Sequence, residues 1–223
     1  MTIPFYVPPE QLMKDRAEYA RKGIARGKAI LAVEYSDGIL IVAENPSGTL
    51  QKIGEIYDRI AFAGAGKYNE FEALRVAGIR HADLKGYAYA RSDVTAKGLA
   101  NAYSQALGHI FTQEVKPYEV EIMVAEVGLT NEENRLFRVM YDGTLHDEEH
   151  FSAIGGQAEQ LMSLLDEGFV PGADLAQAVT WATEAFAAAT EQEFASGDWE
   201  AAVVDRTRGR RTFRRLSVEE FPD

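Results

Sequence analysis

The sequence predicts an α+β fold: a four-layer α-β-β-α sandwich of two antiparallel sheets flanked by helix pairs, with an extra helix at the N-terminus. Three observations predict it. The apolar segments run in blocks, in the order strands, helix pair, strands, helix pair, strands. Asp37-Gly38 and Asp142-Gly143 each fall between alternating apolar runs, as hairpin turns do. The strand segments are apolar on both faces, so each sheet has to be covered twice, by the other sheet and by helices.

Pro4, Pro8 and Pro9 mark residues 1–9 as an extended tail. Met13, Ala17, Ala20 and Ile24 follow at spacings of four, three and four, which puts them on one face of a helix over 10–26 that Gly27 can end. From Ala29 the period drops to two. Ala29–Tyr35 and Ile39–Ala43 read as a hairpin, and a second pair is expected over 50–53 and 59–65. A helix then starts near Lys67 with Phe71, Leu74, Ala77 and Gly78 inward. Another, capped by Ser92 or Asp93, turns Leu99, Tyr103, Ala106, Leu107 and Ile110 to one side.

Strands resume at 119–127, 136–141 and 148–153. Ala158, Leu161, Met162 and Leu165 stripe a helix that stops at Gly168. Leu175, Ala178, Ala182, Ala185 and Ala189 stripe the next, with Asp174 in its first turn, and their small side chains suit close backbone packing. Final strands are expected at 200–204 and 212–216. No repeat is evident. Residues 10–223 form one expected domain behind the tail.

The composition excludes several classes of function. No cysteine is present among 223 residues, so disulfides, thiolate metal sites and a cysteine nucleophile are ruled out. The formal charge of −12 repels polyanions, which argues against nucleic acid and anionic membrane as partners. Met1–Pro9 has neither a basic region nor an apolar run, and no segment approaches 18 consecutive apolar residues. The expectation is a cytoplasmic protein without signal peptide or membrane span.

Four features invite a chemical reading and have a blander alternative. His146 and His150 are four apart; on a strand they share a face but stand about 13 Å from each other, so a solvated polar stretch is expected rather than a metal site. Gly64-Ala65-Gly66 lacks the third glycine of a dinucleotide loop and reads as a tight strand-to-helix turn. The six arginines between 206 and 215 surround Gly209, which fits a hairpin turn; a solvated hairpin is favoured over a nucleic-acid patch. No cofactor site is expected.

The expected layering is that of the N-terminal-nucleophile hydrolases, and several segments resemble proteasome α subunits of the bacterial type. They are Glu18-Tyr19-Ala20-Arg21-Lys22-Gly23, the hairpin around Asp37-Gly38, Lys52-Ile53-Gly54-Glu55-Ile56-Tyr57-Asp58, Gly64–Gly66, Lys116-Pro117-Tyr118-Glu119-Val120, Tyr141-Asp142-Gly143 and Ala153-Ile154-Gly155-Gly156. The resemblance runs from about Leu12 to Leu216. It departs from the archaeal and eukaryotic branches at the gate, where a Tyr-Asp-Arg motif is replaced by Asp15-Arg16 inside a helix.

The resemblance implies a seven-membered ring stacked on catalytic β subunits, with residues 1–9 as its gate: Thr2, Ile3, Pro4, Phe5, Tyr6, Val7 and Pro8. It also implies a ring-shaped AAA ATPase as activator, whose C-terminal tail docks at Lys52 and Gly27. Active members of the family attack with an N-terminal Thr at the start of the first strand. Here that position reads Gly27-Lys28-Ala29, without a hydroxyl and behind 26 residues. Thr2 becomes terminal if Met1 is removed but precedes a whole helix. Glu44 and Lys52 match the family's catalytic carboxylate and lysine by spacing, yet have no nucleophile to serve. The expectation is a non-catalytic gatekeeper. The rivals are an autonomous hydrolase of the same fold, which needs Thr, Ser or Cys at the strand start, and a stand-alone binding domain.

Overall fold

The computed structural model describes residues 8–190 and 198–220. Two five-stranded antiparallel sheets face each other. One has the order β10-β9-β2-β1-β8, the other β3-β4-β5-β6-β7. Helix α1 (Pro9–Ala25) precedes β1 (Ile30–Tyr35) and β2 (Gly38–Glu44) of the first sheet. The chain then crosses to the second sheet for β3 (Ile53–Tyr57) and β4 (Ile60–Gly66), the helix pair α2 (Tyr68–Ala88) and α3 (Ala96–Gln113), and β5 (Val120–Glu126), β6 (Arg135–Val139) and β7 (Leu145–Glu148). It returns to the first sheet with β8 (Phe151–Ile154), passes through α4 (Ala158–Gly168) and α5 (Leu175–Thr190), and ends in β9 (Trp199–Asp205) and β10 (Phe213–Arg215).

Strand parity builds the layers, because alternate side chains leave opposite faces of a strand. Ile30 and Ala32 of β1 point between the sheets, while Leu31, Val33 and Tyr35 meet α4 and α5. In β4, Ala61, Ala63 and Ala65 point inward, and Ile60 and Phe62 meet α2 and α3. The inner layer is rich in alanine. Ala32, Ala43, Ala61, Ala63, Ala125 and Ala202 are all fully buried there, which lets the sheets approach closely.

The expected four layers and N-terminal helix are present, and the differences are local. The first hairpin turns on Ser36-Asp37, with Tyr35 opposite Gly38, so Gly38 is already strand. Its missing side chain is needed on the other edge: a Cβ would overlap the main-chain oxygen of Val204 in β9. The strand expected at 50–53 begins only at Ile53, because Asn45 and Ser47 hold the connection as a loop through Asn45 Nδ2 to Leu50 O (2.6 Å) and Leu50 N to Ser47 Oγ (3.1 Å). Helix α3 is capped by Thr95, whose hydroxyl accepts from Gly98 N, and not by Ser92 or Asp93, which form a 3-10 turn just before it. Ala77 and Ala106 face outward, since an alanine contributes too little apolar area to orient a helix.

The single strand expected at 148–153 is broken. Between Glu148 and Phe151 the chain leaves one sheet and joins the other, with His150 in a left-handed conformation (φ 60°). His146 pairs across β6 with Arg138, whereas the His150 ring lies 3.0 Å from the Glu34 carboxylate and stacks on Phe169. The two histidines therefore do not share a strand face.

Candidate functional site

Lys52, Gly27 and Glu44 meet where α1 hands over to β1. Helix α1 stops with its C-cap at Arg26, and Gly27 N donates to Ile24 O at 2.8 Å. Gly27 O accepts from Gly156 N at 3.0 Å, so both polar groups of Gly27 are engaged within the chain. A Cβ at Gly27 would lie 2.8 Å from Gly66 N and 3.0 Å from Ile24 O, so glycine is required by the crowding of α1 against the end of β4. Gly66, at φ +101°, makes the tight strand-to-helix turn expected of it.

The side chain of Lys52 reaches back to this junction. Its Nζ donates to Lys28 O at 3.2 Å and to Glu44 O at 3.0 Å. The carboxylate of Glu44, buried at 7% exposure, instead pairs with Lys28 Nζ at 2.5 Å. The Lys52 ammonium is thus held by two neutral oxygens. Burial pulls its pKa down to about 8 from the ordinary lysine value, against the opposing pull of Glu44 and Glu200, while Lys28 adds to the lowering.

Glu200, at the start of β9, sets the height of Lys52 by gripping its main chain. Oε2 accepts from Lys52 N (2.8 Å) and from Asn45 Nδ2 (2.7 Å). Oε1 accepts from Ile53 N (3.0 Å) and from Arg215 (3.0 Å). Sequence reasoning missed this residue. Its one signal was a carboxylate heading the apolar run Ala201–Val204, and nothing in the sequence says which distant main-chain groups it serves.

Chemically the junction offers an amine, a carboxylate and main-chain carbonyls. Gly27, Lys28 and Ala29 supply no hydroxyl or thiol. An attacking group, the part an acyl-transfer site needs first, is missing from the strand start.

Helix α1 is anchored beside this site by its C-terminal half only. Ala20 and Ile24 are buried against Tyr141, with Ala17, Phe111 and Met140 packed around them. Met13, expected on the same buried face, is 36% exposed, and every residue from Pro8 to Asp15 is exposed. The physical reason is reach, as the helix projects past the edge of the body below it. Arg16, noted in the sequence only as part of Asp15-Arg16, ties it down. Its guanidinium donates to the main-chain oxygens of Ile110 (3.3 Å), Glu114 (2.5 Å) and Val115 (3.3 Å) at the negative end of α3. Of the gate residues expected from the sequence, Thr2, Ile3, Pro4, Phe5, Tyr6 and Val7 lie outside the described residues, and Pro8 is the exposed N-cap of α1.

The arginine-rich hairpin turns at Gly209 (φ +83°), and its charge is largely spent inside the chain. Arg206 donates to Gly128 O, Ser36 O and Asn131. Arg211 meets Glu55, Arg214 meets Glu220, and Arg215 meets Glu200 and Gln51. No helix of the described residues is long and apolar enough to cross a membrane.

Comparison with known proteins places these features in a family. Residues 24–204 match the family model described as "Proteasome subunit". The chain is 57% identical over 226 residues to the "Proteasome subunit alpha" of Xylanimonas cellulosilytica, covering 97% of this chain and 93% of that protein. It is 58% identical over 225 residues to that of Kineococcus radiotolerans, covering 97% and 95%. To that of Thermomonospora curvata it is 54% identical over 224 residues, covering 100% and 97%.

Proposed function

The chain belongs to the proteasome subunit family, with bacterial α subunits as relatives along nearly its whole length, and its role lies in protein degradation; on that premise we propose that it is a non-catalytic α subunit that gates the proteasome core particle and docks an activator. Seven copies form the outer ring, stacked on the catalytic β subunits, in the cytoplasm. Residues 1–9 obstruct the central pore. Tails of a ring-shaped AAA ATPase seat at Lys52 and Gly27 and shift the gate towards its open state.

The observation that carries this reading is the junction of α1 with β1. Lys52 and Glu44, which match an N-terminal-nucleophile site's lysine and carboxylate by spacing, meet there with main-chain oxygens and Lys28 around them, and the strand start Gly27-Lys28-Ala29 brings no attacking group. A half-buried point charge held by two neutral carbonyls has spare capacity for one anionic partner. A terminal carboxylate is such a partner, and Gly27 lies at the same junction, with its own N–H and C=O already engaged within the chain.

Three measurements test it. The purified chain alone should hydrolyse no peptide and form no adduct with a threonine-directed covalent inhibitor; adduct formation sinks the non-catalytic assignment. In the particle assembled with the β subunit, Lys52→Ala should abolish stimulation by an activator-tail peptide, and undiminished stimulation removes the docking assignment. Deleting residues 1–8 should raise basal peptide hydrolysis of the particle, and an unchanged rate removes the gate.

A further inference from the structure

We propose that Lys52 is a site of covalent acylation, its side-chain amine attacking activated acyl groups such as acyl phosphates and acyl thioesters. What sets this lysine apart is the combination of partial burial, two main-chain carbonyls on its nitrogen and no ion pair among the described residues. Lys22, Lys28, Lys67 and Lys116 each have a carboxylate oxygen within 4.0 Å of the ammonium. An ion pair of that kind holds the proton on and the nitrogen lone pair out of use. Lys52 has no carboxylate at that range among the described residues. Glu44 turns its carboxylate to Lys28, and Glu200 spends its own on Asn45, Arg215 and the main chain of Lys52 and Ile53.

The two acceptors that Lys52 does have are matched to a neutral amine. An –NH2 group carries two hydrogens and one lone pair. Lys28 O and Glu44 O take both hydrogens, at 3.2 and 3.0 Å, and the lone pair is left over. Losing the proton therefore costs no hydrogen bond and breaks no ion pair. Burial works in the same direction, since it disfavours the charged form and lowers the pKa to about 8.

The step balances with the acyl donor as co-reactant. The lone pair of Nζ attacks the acyl carbon and forms the N–C bond. The C–O bond of an acyl phosphate, or the C–S bond of a thioester, breaks, and its electron pair leaves with phosphate or thiolate. One amine proton goes to the leaving group. The product is a neutral amide with one N–H, so one of the two carbonyls loses its donor and the positive charge is gone. Under the docking assignment above, on which this consequence alone rests, the acylated subunit no longer holds a tail carboxylate.

The test is lysine-resolved mass spectrometry of the full-length protein after timed exposure to acetyl phosphate in one arm and acetyl-CoA in another, from pH 6.5 to 10. The exposed Lys14 and Lys97 are internal references. At pH 8 about half of Lys52 is free amine, against well under about 1% for an ordinary lysine. A less basic amine is a weaker nucleophile, which offsets part of this roughly hundredfold excess of free amine, so Lys52 should be modified about tenfold faster than either reference, with its rate levelling off near pH 8–9 while theirs continue to climb. Unfolding the chain in urea should erase the difference. Reaction with only one of the two donors upholds the site and identifies its source. Reaction with neither, or a Lys52 rate that runs parallel to the references, overturns it. Measuring tail-peptide binding before and after acetylation separates the two ideas: fast acetylation with undiminished binding upholds the modification site and rejects the docking assignment.

Discussion

Lys52 Nζ stands 3.0 Å from the main-chain oxygen of Glu44, while the carboxylate of that same glutamate turns away to Lys28. A lysine so placed is held near its proton-release point by the fold, with consequences for stability against pH. Below about pH 8 the native and unfolded chains both carry the Lys52 proton, and the native state bears the full cost of burying a charge. Between about pH 8 and the ordinary lysine range the native chain gives up that proton and the unfolded chain keeps it, so native stability rises with pH. Relative to Lys52→Met, the unmodified chain should gain stability from pH 8 to pH 10. Urea denaturation at pH 7, 8, 9 and 10 reads this directly, and a difference that stays flat refutes it.

Glu200→Ala should destabilise the chain by about 3 kcal/mol, because it strips partners from Lys52 N, Ile53 N, Asn45 and Arg215 at once. Glu200→Gln keeps an acceptor oxygen and should cost less than half as much. The midpoint of denaturant unfolding measures both. Equal costs would show that Glu200 acts by shape and not as a shared acceptor.

Gly27→Ala should cost roughly 1–3 kcal/mol, since the added methyl sits 2.8 Å from Gly66 N and the junction has to open to admit it. Gly168→Ala is the matched control. It adds the same methyl with nothing within 4 Å, at the C-terminal end of α4. Thermal unfolding of the two variants should separate them by several degrees.

Arg16→Met should release α1 from the end of α3 and leave the four layers standing. The expected loss is about 1 kcal/mol and at most about 2, as for a partly buried cation at a helix C-terminus. Limited proteolysis should cut within residues 9–25 well before the rest of the chain. Unchanged protection of that segment would mean that Ala20, Ile24 and Tyr141 hold the helix by themselves.

Much of this architecture was legible because strand and helix periods leave a direct imprint on apolar spacing. Leu31 and Val33 alternate with Ile30 and Ala32, and each pair meets a different neighbouring layer. Legibility stopped where a long-range contact overrules a local signal. Gly38 was read as a turn residue, and its neighbour β9 makes it a strand residue. The chain's passage between sheets at His150 carries no composition marker, so two short strands read as one. Lys52, Gly27 and Glu44 were singled out through resemblance and spacing. Their convergence on the carbonyls of Lys28 and Glu44, and the grip of Glu200 and Arg16, depend on contacts between remote segments that no local pattern encodes.

The sheet that carries β1 and β2 draws its remaining strands from the far end of the sequence: Ile39 lies opposite Val204, and Ile30 opposite Ile154. The other sheet is one uninterrupted stretch from β3 to β7. During synthesis the early hairpin therefore emerges with both edges bare and waits while the entire second sheet is made. One edge closes when β8 arrives, and the other only when β9 leaves the ribosome. Until then a greasy two-stranded ribbon is open to aberrant pairing, so the nascent chain is most vulnerable to aggregation, and most in need of a chaperone, in the interval before β9 is made.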